Sequence, residues 1–188
     1  LVIKAGQFDS SKRFNLAISN NKTIEVMSLS EISKTITIFQ LDKNIPSKDA
    51  GALLEIPIDG FLASSSLDLS QKPDSLFLKS IFDAKTLQTN LTIIDLLKLT
   101  LFSKSVPSSS INTRKISADL TPTESDKIVG QLVSDELIEK DNQTIQIING
   151  TTVGGLGNRL ARLLTNMGAD VIIVATSDDH RKRSTISY

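Results

Sequence analysis

The clearest structural pattern in this sequence lies near its C-terminal end, where residues 144–188 read TIQIINGTTVGGLGNRLARLLTNMGADVIIVATSDDHRKRSTISY. The β-branched run at 144–148 is typical of a buried strand. The Asn149-Gly150-Thr151 that follows favours a turn, because Asn and Gly both tolerate positive φ. A strand that ends in a tight turn is therefore predicted at the start of this segment.

A helix and a second strand are predicted after this turn. Apolar residues recur there at spacings of three and four, as on one face of a helix, and Gly168 suits the C-terminal end of that helix. The continuous apolar run at 171–174 predicts a strand covered on both faces. The segment is therefore predicted to be a β-α-β unit with a right-handed crossover. The residues of the apolar helix face are Leu156, Leu160, Leu163, Leu164 and Met167.

The order of strand, Asn149-Gly150-Thr151, Gly155-Leu156, helix and apolar strand resembles the C-terminal domain of LytR-CpsA-Psr cell-envelope proteins. That domain typically reads V-x-V-x-N-G-T-x-x-x-G-L-A before its helix. The resemblance implies an extracytoplasmic domain that contacts a cell-wall polymer or an envelope protein. The matching residues, with an arginine one turn into the helix, are the candidate contacts for such a partner or for an anion. They are Asn149, Gly150, Thr151, Gly155 and Arg159.

The family domain normally continues with another strand and helix, whereas this sequence ends at Tyr188. Few residues are available in this unit to bury a stable core. We therefore expect the β-α-β unit to pack on the preceding part of the chain, to pair with another copy, or to depend on sequence beyond Tyr188.

The glycines of the same segment allow an alternative interpretation as a nucleotide site. Gly154, Gly155 and Gly157 follow a strand and open a helix, whose N-terminus could hold an anion. The dinucleotide fingerprint also requires a small residue at the position of Leu160, and it requires a better-placed acidic residue than Asp178. A structural turn is therefore favoured, and a nucleotide-binding regulatory module remains an alternative. Arg159 and Arg162 are predicted to form a solvated helix face that could contact an anionic polymer.

The amino-acid composition is that of a globular protein, and it excludes several kinds of catalytic and metal site. Of its 188 residues, 39% are hydrophobic and 22% are charged, and 21 basic residues balance 21 acidic ones. This balance makes nucleic acid an unlikely partner. The absence of Cys excludes thiol catalysis and disulfides, and a single histidine, His180, excludes a multi-His metal centre within one chain. The chain begins with Leu1, and we expect an extracytoplasmic protein anchored in the membrane by an N-terminal segment that this sequence lacks.

The first part of the chain is predicted to be a lobe of antiparallel strands and helices. Strands at 13–19, 23–29 and 35–41 are separated by short polar turns and form a meander. A short helix near 49–54, a strand at 58–62 and a helix that begins at Pro73 follow.

Two further helices are predicted before the C-terminal unit. Asn90 suits the N-cap of a helix over 91–102, which is apolar nearly all round and is expected to be buried rather than to line an apolar cavity. A Pro/Ser linker follows at 106–110. Thr121 and Glu124 form a capping box for a helix that ends near Asn142. The fold class is therefore α/β (α+β), with an N-terminal lobe (1–120), a connecting helix (121–142) and a small β-α-β domain (143–188).

The N-terminal strands also resemble the catalytic domain of the LytR-CpsA-Psr family. Residues 20–28 align with the family's R-S-D-T-I-M-L-L-S, residues 36–44 align with V-T-L-L-S-I-P-R-D, and residues 51–61 resemble L-G-x-P-V-D-G. The family transfers a glycopolymer from a polyprenyl-pyrophosphate carrier to peptidoglycan. That reaction requires Arg guanidinium groups on the phosphates and carboxylates that hold Mg²⁺.

The catalytic positions of the family are replaced in this alignment. Its two arginines correspond to Asn20 and Lys43, and its two aspartates correspond to Lys22 and Asn44. Lys43 lacks the bidentate fork of Arg, and Asn44 cannot bind a metal as a carboxylate does. The resemblance therefore implies that no catalytic residues remain and that no cofactor is required.

Two functions from different classes follow. The leading interpretation is a non-catalytic cell-envelope protein that binds or scaffolds at the cell wall, and a homo-oligomer is compatible with this role. The alternative is a phosphotransferase that attaches polyprenyl-pyrophosphate-linked glycopolymer to peptidoglycan. The alternative requires a bound polyprenyl phosphate lipid or Mg²⁺-dependent transfer, with Lys43, Asp42 and Glu25 in altered roles.

Overall fold

The structure is a computed structural model that describes residues 6–20, 22–41, 50–83, 85–117 and 119–187. It has the predicted mixed α/β fold, with a six-stranded sheet, helices on both faces and a small C-terminal strand-helix-strand unit. The elements are β1 (Phe14–Ser19), β2 (Ile24–Ser30), β3 (Thr35–Leu41), α1 (Ala50–Leu54), β4 (Gly60–Ala63), α2 (Pro73–Phe82), β5 (Gln88–Thr89), α3 (Ile93–Ser105), β6 (Ile111–Ile116), α4 (Pro122–Val133), α5 (Glu136–Asp141), β7 (Thr144–Asn149), α6 (Leu156–Asn166) and β8 (Asp170–Thr176).

The six-stranded sheet has the order β5-β4-β1-β2-β3-β6. Its centre is the antiparallel meander of β1, β2 and β3, as the alternating pattern predicted. Strands β4 and β6 pair in parallel with β1 and β3 on either side of the meander. The sequence analysis missed β6, because Thr113, Arg114 and Lys115 in its middle are exposed and give it no apolar alternation.

Two apolar layers hold the sheet. One face packs against α2 and α3 through a cluster that includes Phe14, Met27 and Phe77. The other face packs against α1 and α4, with Phe39 and Val129 fully buried. In the part of the chain that the structure describes, no helix has the length and hydropathy needed to cross a bilayer.

The prediction for α3 was wrong at its start and in its burial. Its N-cap is Thr92, whose hydroxyl accepts from the backbone N–H of Asp95 while the Asp95 carboxylate accepts from Thr92. Asn90 instead accepts from the backbone N–H of Phe61 and donates to the carbonyl of Asp59. Only one side of α3 faces the sheet, so its other apolar side chains are exposed rather than buried.

The connecting helix predicted over 121–142 is two helices. The capping box of Thr121 and Glu124 is present at the start of α4, but α4 ends at Val133. Asp135 separates α4 from α5, because its backbone N–H donates to the carbonyl of Met167 and its carboxylate accepts from Leu137. Asp135 is therefore the N-cap of a second helix, α5.

In the C-terminal unit, β7 and β8 are parallel and α6 connects them, as predicted. Positive φ occurs at Gly155 and Gly168 and not at Asn149 or Gly150, so the predicted turn after β7 forms without the left-handed conformation that Asn and Gly tolerate. The run at 171–174 is not covered on both faces. The unit has two strands and one helix, so Ile172, Ile173 and Val174 in β8 remain 58%, 46% and 41% exposed.

Helix α6 packs on the N-terminal lobe through polar contacts, which is the first of the three arrangements expected for this unit. The buried Asn166 amide donates to the carbonyl of Leu54 at 3.1 Å and to the Asp126 carboxylate at 3.1 Å. Arg162 also binds Asp126, at 2.6 Å, and Arg159 binds Glu55 at 3.2 Å. The prediction of a solvated arginine face was therefore wrong in part, because both guanidinium groups are paired with acidic residues of the lobe.

Candidate functional site

The loop from β7 to α6 contains the residues that resemble the family motif, and Asn149 shapes it from within. The side-chain Oδ1 of Asn149 accepts from the backbone N–H of Thr151 at 3.0 Å and from the Thr151 hydroxyl at 2.7 Å. The Asn149 amide donates to the carbonyl of Val153 at 2.9 Å. Since the Asn149 side chain is buried and both of its polar atoms are paired, it fixes the backbone of the loop in one conformation.

Three glycines at the end of this loop and the start of α6 have different physical roles. Gly157 packs α6 on the strands, since a Cβ there would lie 3.2 Å from Val174. Gly155 is the N-cap of α6 and has a φ of 77°, which favours glycine. Gly154 has neither constraint, because a Cβ at this position would meet no atom within 4 Å. The surface at Gly154 is therefore open to a partner.

The beginning of α6 presents backbone and apolar groups to this open surface. No side chain caps the helix N-terminus, so the dipole of the helix is not offset there by a local acceptor. Val153, Leu156 and Leu160 are exposed beside it. Arg159 lies one turn further along, 60% exposed, with its Nε on Glu55.

The segment after β8 returns to the loop and brings basic residues with it. The backbone N–H of Arg181 donates to the carbonyl of Gly150 at 2.8 Å, and that of Ser177 donates to the carbonyl of Asn149 at 3.0 Å. The basic run His180-Arg181-Lys182-Arg183 therefore begins beside the loop. The contact between Arg181 and Gly150 could not be predicted from the sequence, because it depends on how β8 pairs with β7.

The structure brings Asn149, Gly150, Thr151 and Gly155 together in one loop, with Arg159 at the edge that faces the lobe. The loop offers N–H groups, hydroxyls and nearby guanidinium groups, which suit carboxylate or phosphate groups on a partner. The nucleotide interpretation of these glycines stays a prediction.

Two of the family positions aligned in the N-terminal lobe, Asn20 and Lys22, lie in the turn between β1 and β2. Asn20 closes the β1–β2 turn, accepting from the backbone N–H groups of Lys22 and Thr23 and donating to the carbonyl of Leu67. Lys22 is exposed in the same turn. The other aligned positions, Lys43 and Asn44, and the alternative Asp42 lie outside the described residues.

Glu25 is the most unusual charged group among the described residues of the sheet. It is 3% exposed, and its Oε1 accepts from the Gln40 amide at 3.0 Å, whereas its Oε2 has no hydrogen-bond partner. Burial raises the pKa of Glu25 above the ordinary value, and the hydrogen bond from Gln40 opposes this shift. Glu25 is therefore a buried carboxylate with only one of its two oxygens paired, which is uncommon for a charged residue in a strand.

The raised pKa of Glu25 predicts a pH-dependent stability. Between the ordinary pKa and the raised one, the folded protein binds a proton that the unfolded chain does not bind. The free energy of unfolding therefore falls as pH rises through this window, and Glu25→Gln should remove the decrease. We expect Glu25→Gln to be more stable at pH 7 by about 1 kcal/mol, measured by urea unfolding from acid to neutral pH. Glu31→Gln, in the β2–β3 turn, is the control and should leave the profile unchanged.

Within the described residues, no three His, Asp or Glu side chains come together as metal ligands would. The Mg²⁺ requirement of the transferase alternative therefore stays a prediction.

Comparison with known proteins places the C-terminal unit in a family. Residues 142–188 match the LytR_C family, described as LytR cell envelope-related transcriptional attenuator. This match confirms the predicted LytR-type C-terminal domain. No curated protein matches the chain in sequence.

Several solved structures are similar to this chain in part. The transcriptional regulator yvhJ from Bacillus subtilis is 14% identical with a TM-score of 0.46, and the match covers 62% of this chain and 88% of that one. Lin1025 from Listeria innocua is 10% identical with a TM-score of 0.43, covering 64% and 96%. TagV from B. subtilis is 12% identical with a TM-score of 0.39, covering 62% and 89%. The resemblance of the N-terminal lobe to a catalytic domain stays a prediction.

Proposed function

We propose that this protein is a non-catalytic LytR-type protein of the cell envelope that binds a cell-wall polymer through the β7–α6 loop. The observation that carries the proposal is the LytR_C match over residues 142–188, since this region contains the loop, α6 and the basic run. We further propose that the protein lies outside the cytoplasm, anchored by a segment that precedes Leu1. An envelope protein as partner and a homo-oligomer remain compatible with the same loop.

The chemistry of the loop favours an anionic polymer. Peptidoglycan carboxylates and the phosphates of wall glycopolymers both accept hydrogen bonds from backbone N–H and guanidinium groups. The uncapped start of α6 and the backbone around Gly154 offer N–H donors, and Arg181 places a cation beside Gly150. Because Asn149 already fixes the loop, a polymer would bind without ordering it first.

The N-terminal lobe supports a non-catalytic role. Asn20 stands where the resembled family has an arginine, and its side chain is hydrogen-bonded to the β1–β2 turn and to the carbonyl of Leu67. An amide paired in this way offers no guanidinium fork to a pyrophosphate.

Blocking the open surface should weaken polymer binding without unfolding the protein. We expect Gly154→Gln to weaken binding to purified cell-wall sacculi at least about fivefold, because the glutamine side chain would cover the loop while its Cβ meets no protein atom within 4 Å. Arg181→Gln should weaken binding similarly and reduce its dependence on salt. Co-sedimentation with sacculi at increasing ionic strength measures both effects.

The matched control is Thr165→Gln, which adds the same side chain at an exposed position near the other end of α6. It should bind sacculi as the unchanged protein does, and all three variants should keep their melting temperature. Equal binding by Gly154→Gln and Thr165→Gln would contradict the proposed surface, and absence of binding by the unchanged protein would contradict the proposed function.

One observation favours the transferase alternative. A buried carboxylate with an unpaired oxygen, as at Glu25, is typical of functional sites as well as of strained cores. The alternative requires either a co-purified polyprenyl phosphate, detected by native mass spectrometry, or Mg²⁺-dependent transfer that Glu25→Gln abolishes. A protein that shows neither is not a transferase.

A further inference from the structure

A small polar cavity lies between the six-stranded sheet and the helices α4 and α5. Its volume is about 270 Å³, just below the usual range for sites of drug-sized ligands, so it suits a smaller molecule. Strand β3 contributes Thr35 and Thr37 to its wall, β6 contributes Asn112, and α4 contributes Gln131. We call this space the Arg13 cavity, because Arg13 is the most deeply buried charged residue that lines it.

The guanidinium group of Arg13 has hydrogen-bonding capacity that the fold does not use. Arg13 is 9% exposed, and its side chain has five N–H groups. Three of them donate within the protein, to the carbonyl of Ser134 at 2.9 Å, to the Ser28 hydroxyl at 3.4 Å and to Glu136 at 3.4 Å. The other two have no acceptor among the described residues. Because a buried donor without an acceptor is costly, a ligand group that accepts from Arg13 would be favoured.

Glu139 is a second charged group of the cavity that the fold leaves available. Its side chain is exposed, and in the part of the chain that the structure describes its carboxylate accepts no hydrogen bond and forms no ion pair. Gly168 makes room for its stem, because a Cβ on Gly168 would lie 2.8 Å from the Glu139 Cγ. The carboxylate of Glu136, by contrast, already accepts from Arg13 and from the Ser30 hydroxyl. Glu139 can therefore receive a cation.

The charges around Arg13 include more carboxylates than guanidinium groups. Burial lowers the pKa of Arg13, and the nearby carboxylates of Glu136, Asp135 and Glu139 oppose this shift. The guanidinium group remains charged, as arginine does throughout proteins. The Asp135 carboxylate is bound to backbone, since it accepts from the N–H groups of Arg13 and Leu137. The groups left for a ligand are therefore the spare donors of Arg13 and the free carboxylate of Glu139.

The ligand that matches these groups carries both signs of charge. A carboxylate alone would be repelled by the excess of carboxylates in the cavity. An amine alone would leave the spare N–H groups of Arg13 without an acceptor. Hydrogen bonds between charged groups are roughly twice as strong as those between neutral groups, so a zwitterion gains more here than a neutral sugar does.

We infer that the Arg13 cavity binds a small zwitterionic α-amino acid. The ligand carboxylate accepts from the two spare N–H groups of Arg13, and the ligand ammonium group donates to Glu139. The side-chain amides of Asn112 and Gln131, which have no hydrogen-bond partner among the described residues, can bond to either charged group. The site uses no residue of the β7–α6 loop, so it is independent of the polymer binding proposed for that loop.

Isothermal titration calorimetry of the unchanged protein with racemic alanine tests the inference. Propionate and ethylamine are the matched probes, because propionate lacks the ammonium group of alanine and ethylamine lacks its carboxylate. We expect each of them to bind at least about tenfold more weakly than alanine, since each loses one charge-assisted interaction.

Two variants separate the two ends of the ligand. Glu139→Gln should weaken alanine binding at least about tenfold and should not weaken propionate binding, because only alanine carries the ammonium group. Arg13→Lys keeps the charge but removes the guanidinium fork, and it should weaken both ligands. Arg13 also bonds within the lobe, whereas Glu139 is exposed, so Glu139→Gln tests the site without a change of stability.

The control for Glu139→Gln is Glu31→Gln, the same substitution at a glutamate that pairs with Lys34 outside the cavity. Gly154→Gln, in the β7–α6 loop, is the control for independence from polymer binding. Both variants should bind alanine as the unchanged protein does, and circular dichroism should show the same fold for all of them.

Four results would overturn the inference. The unchanged protein could fail to bind alanine, or it could bind propionate or ethylamine as tightly as alanine. Glu139→Gln could bind alanine as well as Glu31→Gln does. Glucose could bind as tightly as alanine, which would assign the Arg13 cavity to a neutral sugar.

Discussion

Replacing Asp95 by asparagine is expected to lower the free energy of unfolding by about 3 kcal/mol. The buried carboxylate accepts four hydrogen bonds, from the backbone N–H and the hydroxyl of Thr92 at 2.8 Å each and from the N–H groups of Gln7 and Phe8 at 3.1 Å each. In Asp95→Asn the side-chain NH₂ group would point its own hydrogens at N–H groups that now donate to the carboxylate, and those hydrogen bonds would be lost. The change would therefore weaken the cap of α3 and release the segment before β1.

The effect should depend on pH. Burial alone would raise the pKa of Asp95, but the hydrogen bonds from Thr92, Gln7 and Phe8 outweigh it, so the pKa lies below the ordinary value. The contribution of Asp95 is thus present above pH of about 4 and is lost as pH falls through the lowered pKa. Urea unfolding from pH 7 to acid pH should show the two proteins converging.

Asp74→Asn is the control, because Asp74 occupies the first turn of α2 without a side-chain cap hydrogen bond. Asp74→Asn should lower the free energy of unfolding by a few tenths of a kcal/mol, which is the size of a helix-dipole interaction. A loss of equal size in both variants would contradict the role given to the four hydrogen bonds.

Replacing Asn166 by aspartate should detach the C-terminal unit from the N-terminal lobe, with a loss of roughly 3–5 kcal/mol. The Asn166 side chain is 1% exposed, and its amide donates to two carbonyls and to the Asp126 carboxylate. A carboxylate of the same shape would instead place an uncompensated negative charge against three acceptors. Thermal unfolding followed by circular dichroism measures the loss.

Asn158→Asp provides the matched control on the same helix. Asn158 is exposed in the first turn of α6, where a negative charge interacts favourably with the helix dipole. The control should leave stability unchanged or slightly raised. At acid pH the introduced carboxyl becomes neutral, so the deficit of Asn166→Asp should shrink. A deficit that is constant with pH would show that shape, and not charge, causes the loss.

Sequence patterns predicted those parts of the fold that depend on neighbouring residues. The alternation in the first three strands gave their pairing, and Thr121 with Glu124 marked the start of α4 because both partners lie within one turn. Strand β6 was not predicted, because it forms by pairing with β3, which is distant from it in the sequence. Asn90 and Thr92 are both good caps in isolation, and the choice between them was made by contacts of Asn90 with Phe61 and Asp59.

The candidate site was predictable to a similar degree. The Asn149-Gly150-Thr151 motif indicated a turn, and the turn is present, but the positive φ falls at Gly155. Helical periodicity placed Arg159 and Arg162 on one face without revealing that Glu55 and Asp126 lie opposite them. The unpaired oxygen of Glu25 likewise follows from the sheet around it, since a single glutamate in a strand carries no signal of its burial.

The order of the strands also bears on how the chain folds. The three central strands are joined by short turns, so their pairing closes small loops at little entropic cost. The pairings of β4 with β1 and of β6 with β3 join segments that are distant in sequence. Ile111 can pair with Ile36 only after the long intervening segment has become compact. Contacts of such high sequence separation are the slow ones in folding. We therefore expect the meander to form first and to serve as the template on which β4 and then β6 are added from its two sides.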